Sequence, residues 1–175
     1  RALTAEAFMK GTADFRTTLY AGPTSGTLMT HLESIELFKR LRVQMTPELK
    51  SPSVAMPFDG FSQEAYAQKL VDEYRAAGVP AHRVWPQSFN KADVLYWVQQ
   101  APDFGHQAVY LDDAETVNDL PRAAELSQYK SEGIQIVAPP LFALLAVDGA
   151  GSIIPSNYAR DARAAGLDII TWTLE

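Results

Sequence analysis

Helix-type and strand-type patterns of hydrophobic residues alternate along this chain. Apolar residues recur every three or four positions in five stretches, and most of these stretches start at a capping residue such as Ser62 or Asn90. The predicted helices cover residues 30–41, 62–78, 90–101, 118–130 and 156–166. Apolar runs with strand character lie between them, at residues 44–50, 83–89, 107–111, 134–138 and 167–174. No hairpin signal joins any two of these strands.

This alternation predicts an α/β fold with a parallel sheet, because parallel strands need crossover connections that helices usually supply. A complete eight-stranded barrel needs about 250 residues. A chain of 175 residues with five strands is therefore either an open parallel sheet or a barrel that lacks about three strands.

Residues 44–50 carry the candidate chemistry. Period-two alternation places Met45 and Leu49 on one face and Glu48 and Lys50 on the other. In a barrel of parallel strands the outward residues contact helices, and the inward residues at the strand ends form the active site. Glu48 and Lys50, about 7 Å apart at their Cα atoms, would suit a divalent cation beside a phosphate. The alternative is a surface edge strand on which both side chains are solvated.

Composition narrows the classes of function. The formal charge of −6, with acidic and basic residues well mixed, leaves no basic stripe for nucleic acid. The absence of cysteine excludes disulfides and thiolate metal sites, and no apolar run reaches the roughly 20 residues of a membrane span. The chain starts with Arg1, which suggests a processed chain or a fragment. Residues 1–27 are expected to form a loop segment that leads into a domain of residues 28–175.

Three short motifs resemble the glycerophosphodiester phosphodiesterase family. They are Thr46-Pro-Glu-Leu-Lys50, Gln87-Ser-Phe89 and Thr171-Trp-Thr173, with Gly26-Thr-Leu28 ahead of the first helix. The resemblance implies a (β/α)8 TIM barrel to which this chain contributes the fourth to eighth strands. It also implies metal-assisted hydrolysis of glycerophosphodiesters to glycerol 3-phosphate and an alcohol, with Ca²⁺ or Mg²⁺, in lipid and glycerol metabolism.

The same resemblance assigns roles to four residues. Glu48 corresponds to a metal-ligand carboxylate, Lys50 to a phosphate-contacting lysine, and Phe89 and Trp172 to residues that line the substrate pocket. The family's His-Arg-Gly, Glu-x-Asp and His-Asp motifs are absent, so no catalytic residue is expected in this chain. Activity would require the complete protein. A non-catalytic module for binding a partner or for assembly is the alternative, and an open doubly wound domain is disfavoured because no Gly-rich phosphate loop follows a strand.

An incomplete barrel has open strand edges. The expected partners are therefore a glycerophosphodiester as small-molecule substrate and either another chain that supplies the missing strands or a second copy of this one. Exported members of the family make a periplasmic or extracellular location the preferred one. The three histidines, His31, His82 and His106, are expected to be structural or solvated, and Asp112 and Asp113 are weaker candidates for the mouth of the barrel.

Overall fold

The computed structural model describes residues 28–172, and the chain from His31 onward forms one compact unit. The expectations for residues 1–27 and for the end of the last predicted strand lie outside the described residues. The helices are α1 His31–Leu41, α2 Gln63–Ala76, α3 Lys91–Gln100, α4 Pro102–Gly105, α5 Ala123–Ser131 and α6 Asn157–Ala164. The strands are β1 Gln87–Ser88, β2 Val109–Leu111, β3 Ile136–Ala138, β4 Leu145–Val147, β5 Ile153–Pro155 and β6 Asp168–Ile169.

The main sheet is parallel and follows chain order. Strands β1, β2, β3 and β6 lie side by side in that order, and residues 44–50 run alongside β1 in the same direction. The predicted parallel arrangement of five strand segments is confirmed. Met45 and Leu49 each donate a backbone hydrogen bond of 2.9 Å to the neighbouring strand segment. Pro47, between them, has no N–H to donate, which explains why this pairing is interrupted.

The predicted helix starts at Ser62, Asn90 and Ser156 are confirmed. Each of these side chains accepts a hydrogen bond from a backbone N–H in the first turn, at 3.1–3.2 Å. Such caps satisfy N–H groups that have no partner within the helix. Short-range sequence signals therefore determine where these three helices begin.

Two local features differ from the expectation. The helix predicted from residue 118 begins only at Ala123, because Pro121 and a turn precede it. In that turn the backbone N–H of Thr116 donates to the carboxylate of Asp119 at 2.9 Å. Strands β4 and β5 form an antiparallel hairpin that was not predicted. Its turn is held by Asp148, which accepts backbone hydrogen bonds from Ala150 and Ser152 at 2.9 Å. The Asp148-Gly149 pair was a usable signal for it.

The two faces of the main sheet differ in what covers them. On one face, residues in or next to the strands pack with helix residues in buried clusters, and those residues are Met45, Leu49, Val84, Ala108 and Val137. The largest buried side chain is Trp97 of α3, whose Nε1 donates to the carbonyl of Ala67 at 2.9 Å. Within residues 28–172, the other face forms a separate buried cluster that contains no helix residue and is made of Val109, Leu111, Ile136 and Ala138. The site described next lies on this helix-free face.

Candidate functional site

Glu48 lies in a row of residues that crosses the whole parallel sheet. It pairs with Gln87, which pairs with Val109, then Ile136, then Asp168. Neighbours in such a row point to the same face of a sheet. Glu48 therefore shares the helix-free face with Val109 and Ile136, as the alternation of residues 44–50 predicts.

Glu48 and Lys50 form an ion pair on this face. The Lys50 Nζ lies 2.8 Å from the Glu48 Oε1, and the side chains are 77% and 23% exposed respectively. The carboxylate is thus mostly covered, whereas the ammonium group is open to solvent. An ion pair this exposed contributes at most about 1 kcal/mol, so either group can exchange its partner for a charged ligand at small cost.

The resemblance implies a divalent cation at Glu48. Whether Glu48 can act as a metal ligand depends on which other ligands lie near it. A hard cation such as Ca²⁺ takes six to eight oxygen ligands. Among residues 28–172 no group of three or more His, Asp or Glu side chains could hold a metal ion. Glu48 and its lysine partner do not by themselves make a metal site.

Phe89 and Trp172 lie together beside this row. Their ring centroids are 5.8 Å apart at an interplanar angle of 86°, an edge-to-face contact. The Trp172 Nε1 donates to the carbonyl of Ala138 at 2.9 Å, which holds the indole across the end of β3. Both rings are partly buried against the helix-free cluster. The structure thus brings the two predicted pocket residues into contact with each other.

A buried polar network lies behind the site. The carboxylate of Asp93, 2% exposed, accepts hydrogen bonds from Gln63 Nε2 at 2.8 Å and from Ser88 Oγ at 2.9 Å. The Ser88 hydroxyl also lies 3.3 Å from the carbonyl of Leu49, next to Glu48. Burial raises the pKa of Asp93, and the hydrogen bonds from Gln63 and Ser88 partly oppose this effect. The network joins residues 44–50, β1 and the first turns of two helices.

One pair near Glu48 was not predicted. His31 Nδ1 lies 2.6 Å from the Oε2 of Glu73, and His31 lines a cavity of about 320 Å³ together with Thr46 and Glu48. The other imidazole nitrogen, Nε2, is buried and has no hydrogen-bond partner among residues 28–172. Nothing in the local pattern joins His31 to a residue 42 positions away, so only the packing of α1 on α2 reveals the pair.

The weaker candidates are placed elsewhere. His82 and His106 are exposed. Asp112 accepts a hydrogen bond from the N–H of Ala114 at 3.0 Å, and burial raises its pKa. Along the strand Asp112 alternates in step with Ala108 and Tyr110, which pack with helix residues, so Asp112 is grouped with the helix side of the sheet and not with Glu48.

Known proteins similar to this chain were found by structure and by sequence. A glycerophosphodiester phosphodiesterase from Parabacteroides distasonis matches with a TM-score of 0.60 at 16% identity, over 87% of this chain and 54% of that one. A protein assigned as a glycerophosphoryl diester phosphodiesterase from Silicibacter pomeroyi matches with a TM-score of 0.52 at 21% identity, over 73% and 38%. The chain therefore spans about half or less of these two proteins, and the likeness shows a shared fold.

Sequence comparison gives a nearer relative. No model of a known protein family matches the chain. In the part of the chain that the structure describes, no helix is long and apolar enough to cross a membrane. An extracellular protein of Arthroderma benhamiae is 43% identical over 178 residues, which cover all of this chain and 72% of that protein. The chain belongs to the same family as this extracellular protein of Arthroderma benhamiae.

Proposed function

We propose that the complete protein hydrolyses glycerophosphodiesters to glycerol 3-phosphate and an alcohol, and that this chain forms the C-terminal part of its (β/α)8 barrel. The observation that carries the proposal is the position of Glu48 and Lys50: side by side near the end of a parallel strand, on the helix-free face that also holds Phe89 and Trp172. Active sites of such barrels lie at the carboxyl ends of the strands. The two phosphodiesterases of similar fold support the same assignment.

The proposal divides the work between this chain and the rest of the protein. Lys50, with its exposed ammonium group, would contact the phosphate and offset the negative charge that grows in the transition state. Phe89 and Trp172 would line the space for the glycerol or alcohol group. Hydrolysis also needs one group to take a proton from the attacking oxygen and another to protonate the leaving alcohol. We assign both of those groups to the rest of the complete protein, outside this chain.

Glu48 is proposed as one carboxylate ligand of a divalent cation, Ca²⁺ or Mg²⁺, with the other ligands outside 28–172. When bound, such an ion would offset charge on the phosphate oxygens. Because the described residues do not fit a metal on their own, this chain alone is expected to bind Ca²⁺ weakly and to be inactive.

An open strand edge supports the idea of a missing neighbour. The backbone N–H groups of Thr46 and Glu48 point away from β1 and form no hydrogen bond with another described residue. Such an edge pairs readily with a further strand. We propose that this strand comes from another part of the complete protein, from another chain, or from a second copy.

The test is a glycerophosphodiesterase assay on the full-length protein, with glycerophosphocholine as substrate and release of glycerol 3-phosphate as the readout. Lys50→Ala should lower kcat/KM by at least about tenfold, or about 1.4 kcal/mol, and Glu48→Gln should weaken turnover and metal dependence together. Glu36→Gln, which breaks the Glu36–Lys39 ion pair of 2.7 Å on α1, is the matched control. Unchanged activity of Glu48→Gln at low metal concentration would remove Glu48 from the mechanism.

A non-catalytic module that binds a partner is the second candidate. It is favoured by the engagement of Glu48 with Lys50 and by the lack of a group of metal-binding side chains among residues 28–172. Calorimetric titration of the full-length protein with Ca²⁺ and Mg²⁺ separates the two candidates. Absence of both binding and hydrolysis would favour the module.

We also propose that the protein is exported, to the periplasm or the extracellular space, because its relative in Arthroderma benhamiae is an extracellular protein. Immunodetection of the full-length protein in culture medium and in cell fractions tests this. Retention in the cytoplasmic fraction would contradict it.

A further inference from the structure

A second cavity is lined by residues other than those of the Glu48 site. It has a volume of about 420 Å³ and lies between the loop that follows β2 and the segment from the hairpin to α6. Its polar walls are formed by Asn118, Arg122, Asn157 and Asp161, and Phe142 and Tyr158 contribute aromatic surface. None of these residues lines the cavity that contains Glu48.

Two charges of opposite sign face this cavity without neutralising each other. No ion pair within 4.0 Å joins Arg122 and Asp161, whereas Arg163 near the end of α6 does pair with Asp168. Neither side chain makes a hydrogen bond with another described residue. Arg122 is exposed, whereas Asp161 is half-buried. A charge near low-dielectric walls is stabilised by a partner of opposite sign. Arg122 and Asp161 together therefore favour a ligand that carries one negative and one positive group.

The rest of the wall is suited to an apolar group. Phe142 is 41% exposed and Leu145 is 47% exposed, and both line the cavity. The Tyr158 ring forms part of the wall, with only 6% of the residue exposed, and its buried hydroxyl has no hydrogen-bond partner in the described part of the chain. An unpartnered hydroxyl costs free energy, so this wall also offers a hydrogen-bonding group that no described residue satisfies.

We propose that this cavity binds a small zwitterion with an apolar side chain, of the class of free amino acids such as leucine or phenylalanine. The carboxylate of the ligand contacts the guanidinium of Arg122, its ammonium group contacts the carboxylate of Asp161, and its side chain packs on Phe142. Inorganic phosphate fits less well, because Asp161 repels it. A neutral sugar fits less well because it satisfies neither charge fully. The proposal does not depend on the phosphodiesterase assignment.

The experiment is calorimetric titration of the full-length protein with five probes: L-leucine, N-acetyl-L-leucine, L-leucinamide, glucose and inorganic phosphate. L-leucine should bind with a Kd of about 1 mM or below. Each blocked analogue lacks one of the two charges and should bind at least about tenfold more weakly. Glucose and phosphate should bind more weakly than L-leucine.

Three variants locate the binding. Arg122→Gln and Asp161→Asn should each weaken L-leucine binding by about tenfold, whereas Arg40→Gln, which changes an exposed arginine on α1, should leave it unchanged. Melting curves of all three variants should match the parent protein, since Arg122 is exposed and the Asp161 side chain has no partner among the described residues. The proposal is wrong if L-leucine does not bind, if the blocked analogues or glucose bind equally well, or if neither cavity variant weakens binding.

Discussion

Replacing Asp93 by alanine should destabilise the protein more than replacing an exposed aspartate by alanine does. The carboxylate accepts hydrogen bonds from Gln63 at 2.8 Å, Ser88 at 2.9 Å and Asn90 at 3.3 Å, and Asp93 is 2% exposed. Removal takes this acceptor from the buried Ser88 hydroxyl and from the half-buried Gln63 amide, at about 1–3 kcal/mol each. Taken together the loss is about 3 kcal/mol, which lowers the melting temperature by about 10 °C for a domain of this size.

The assay is thermal unfolding followed by circular dichroism at neutral pH. Asp113→Ala is the matched control, because Asp113 is exposed and accepts no hydrogen bond from a described residue. If Asp93→Ala melted within about 2 °C of the parent protein, the network behind Glu48 would not be a structural support, and the reasoning from its hydrogen bonds would be refuted.

The pH dependence of Asp93 gives a second readout of the same network. Burial raises the pKa of Asp93 in the folded state above its ordinary value of 3.8. The stabilising effect of this group is therefore fully present below the unfolded pKa and is lost as the pH rises through the folded pKa. Asp93→Asn removes the titration, so its deficit relative to the parent protein should be larger at about pH 4 than at neutral pH. Urea unfolding at the two pH values measures this.

Two further predictions concern the helices. Burial raises the pKa of Glu73, but hydrogen bonds from Lys69 and His31 lower it below 4.5. The stabilising effect of the Glu73 carboxylate is therefore lost as the pH falls through that lower value. Glu73→Gln should cost about 1 kcal/mol at neutral pH and lose less stability on acidification, as urea unfolding would show. Gly105→Ala should cost about 3 kcal/mol, because a Cβ there would lie 2.5 Å from the Trp97 carbonyl oxygen, whereas Gly149→Ala, with nothing within 4 Å, should melt like the parent protein.

The sequence predicted the order of elements because that order depends on local signals. The capping side chains of Ser62, Asn90 and Ser156 act within one turn of the residues they cap, and hydrophobic periodicity is a property of neighbouring residues. The alternation of Glu48 with the buried Met45 and Leu49 was predictable for the same reason. The hairpin of β4 and β5 was missed although Asp148-Gly149 is a local signal for it.

The boundaries of the strands and helices were less predictable. Pro47 interrupts the hydrogen bonds between residues 44–50 and the neighbouring strand, so this segment is held by separate bridges. Pro121 and the turn at Asp119 precede α5, so this helix begins at Ala123 and not at the predicted residue 118. Pro47 lacks the N–H that the strand pairing would need, and Pro121 disfavours a helical backbone at the residue before it. The pattern of apolar residues reveals neither effect.

By itself, the sequence determined that this is a parallel α/β chain in which an acid and an amine lie two residues apart near a strand end. Tertiary structure decided what surrounds them: the row from Glu48 to Asp168, the contact of Phe89 with Trp172, and the His31–Glu73 pair. These contacts join residues that are far apart in the chain. They depend on strand register and on how helices pack, and those are set by the sum of many weak interactions across the sheet and not by any local pattern.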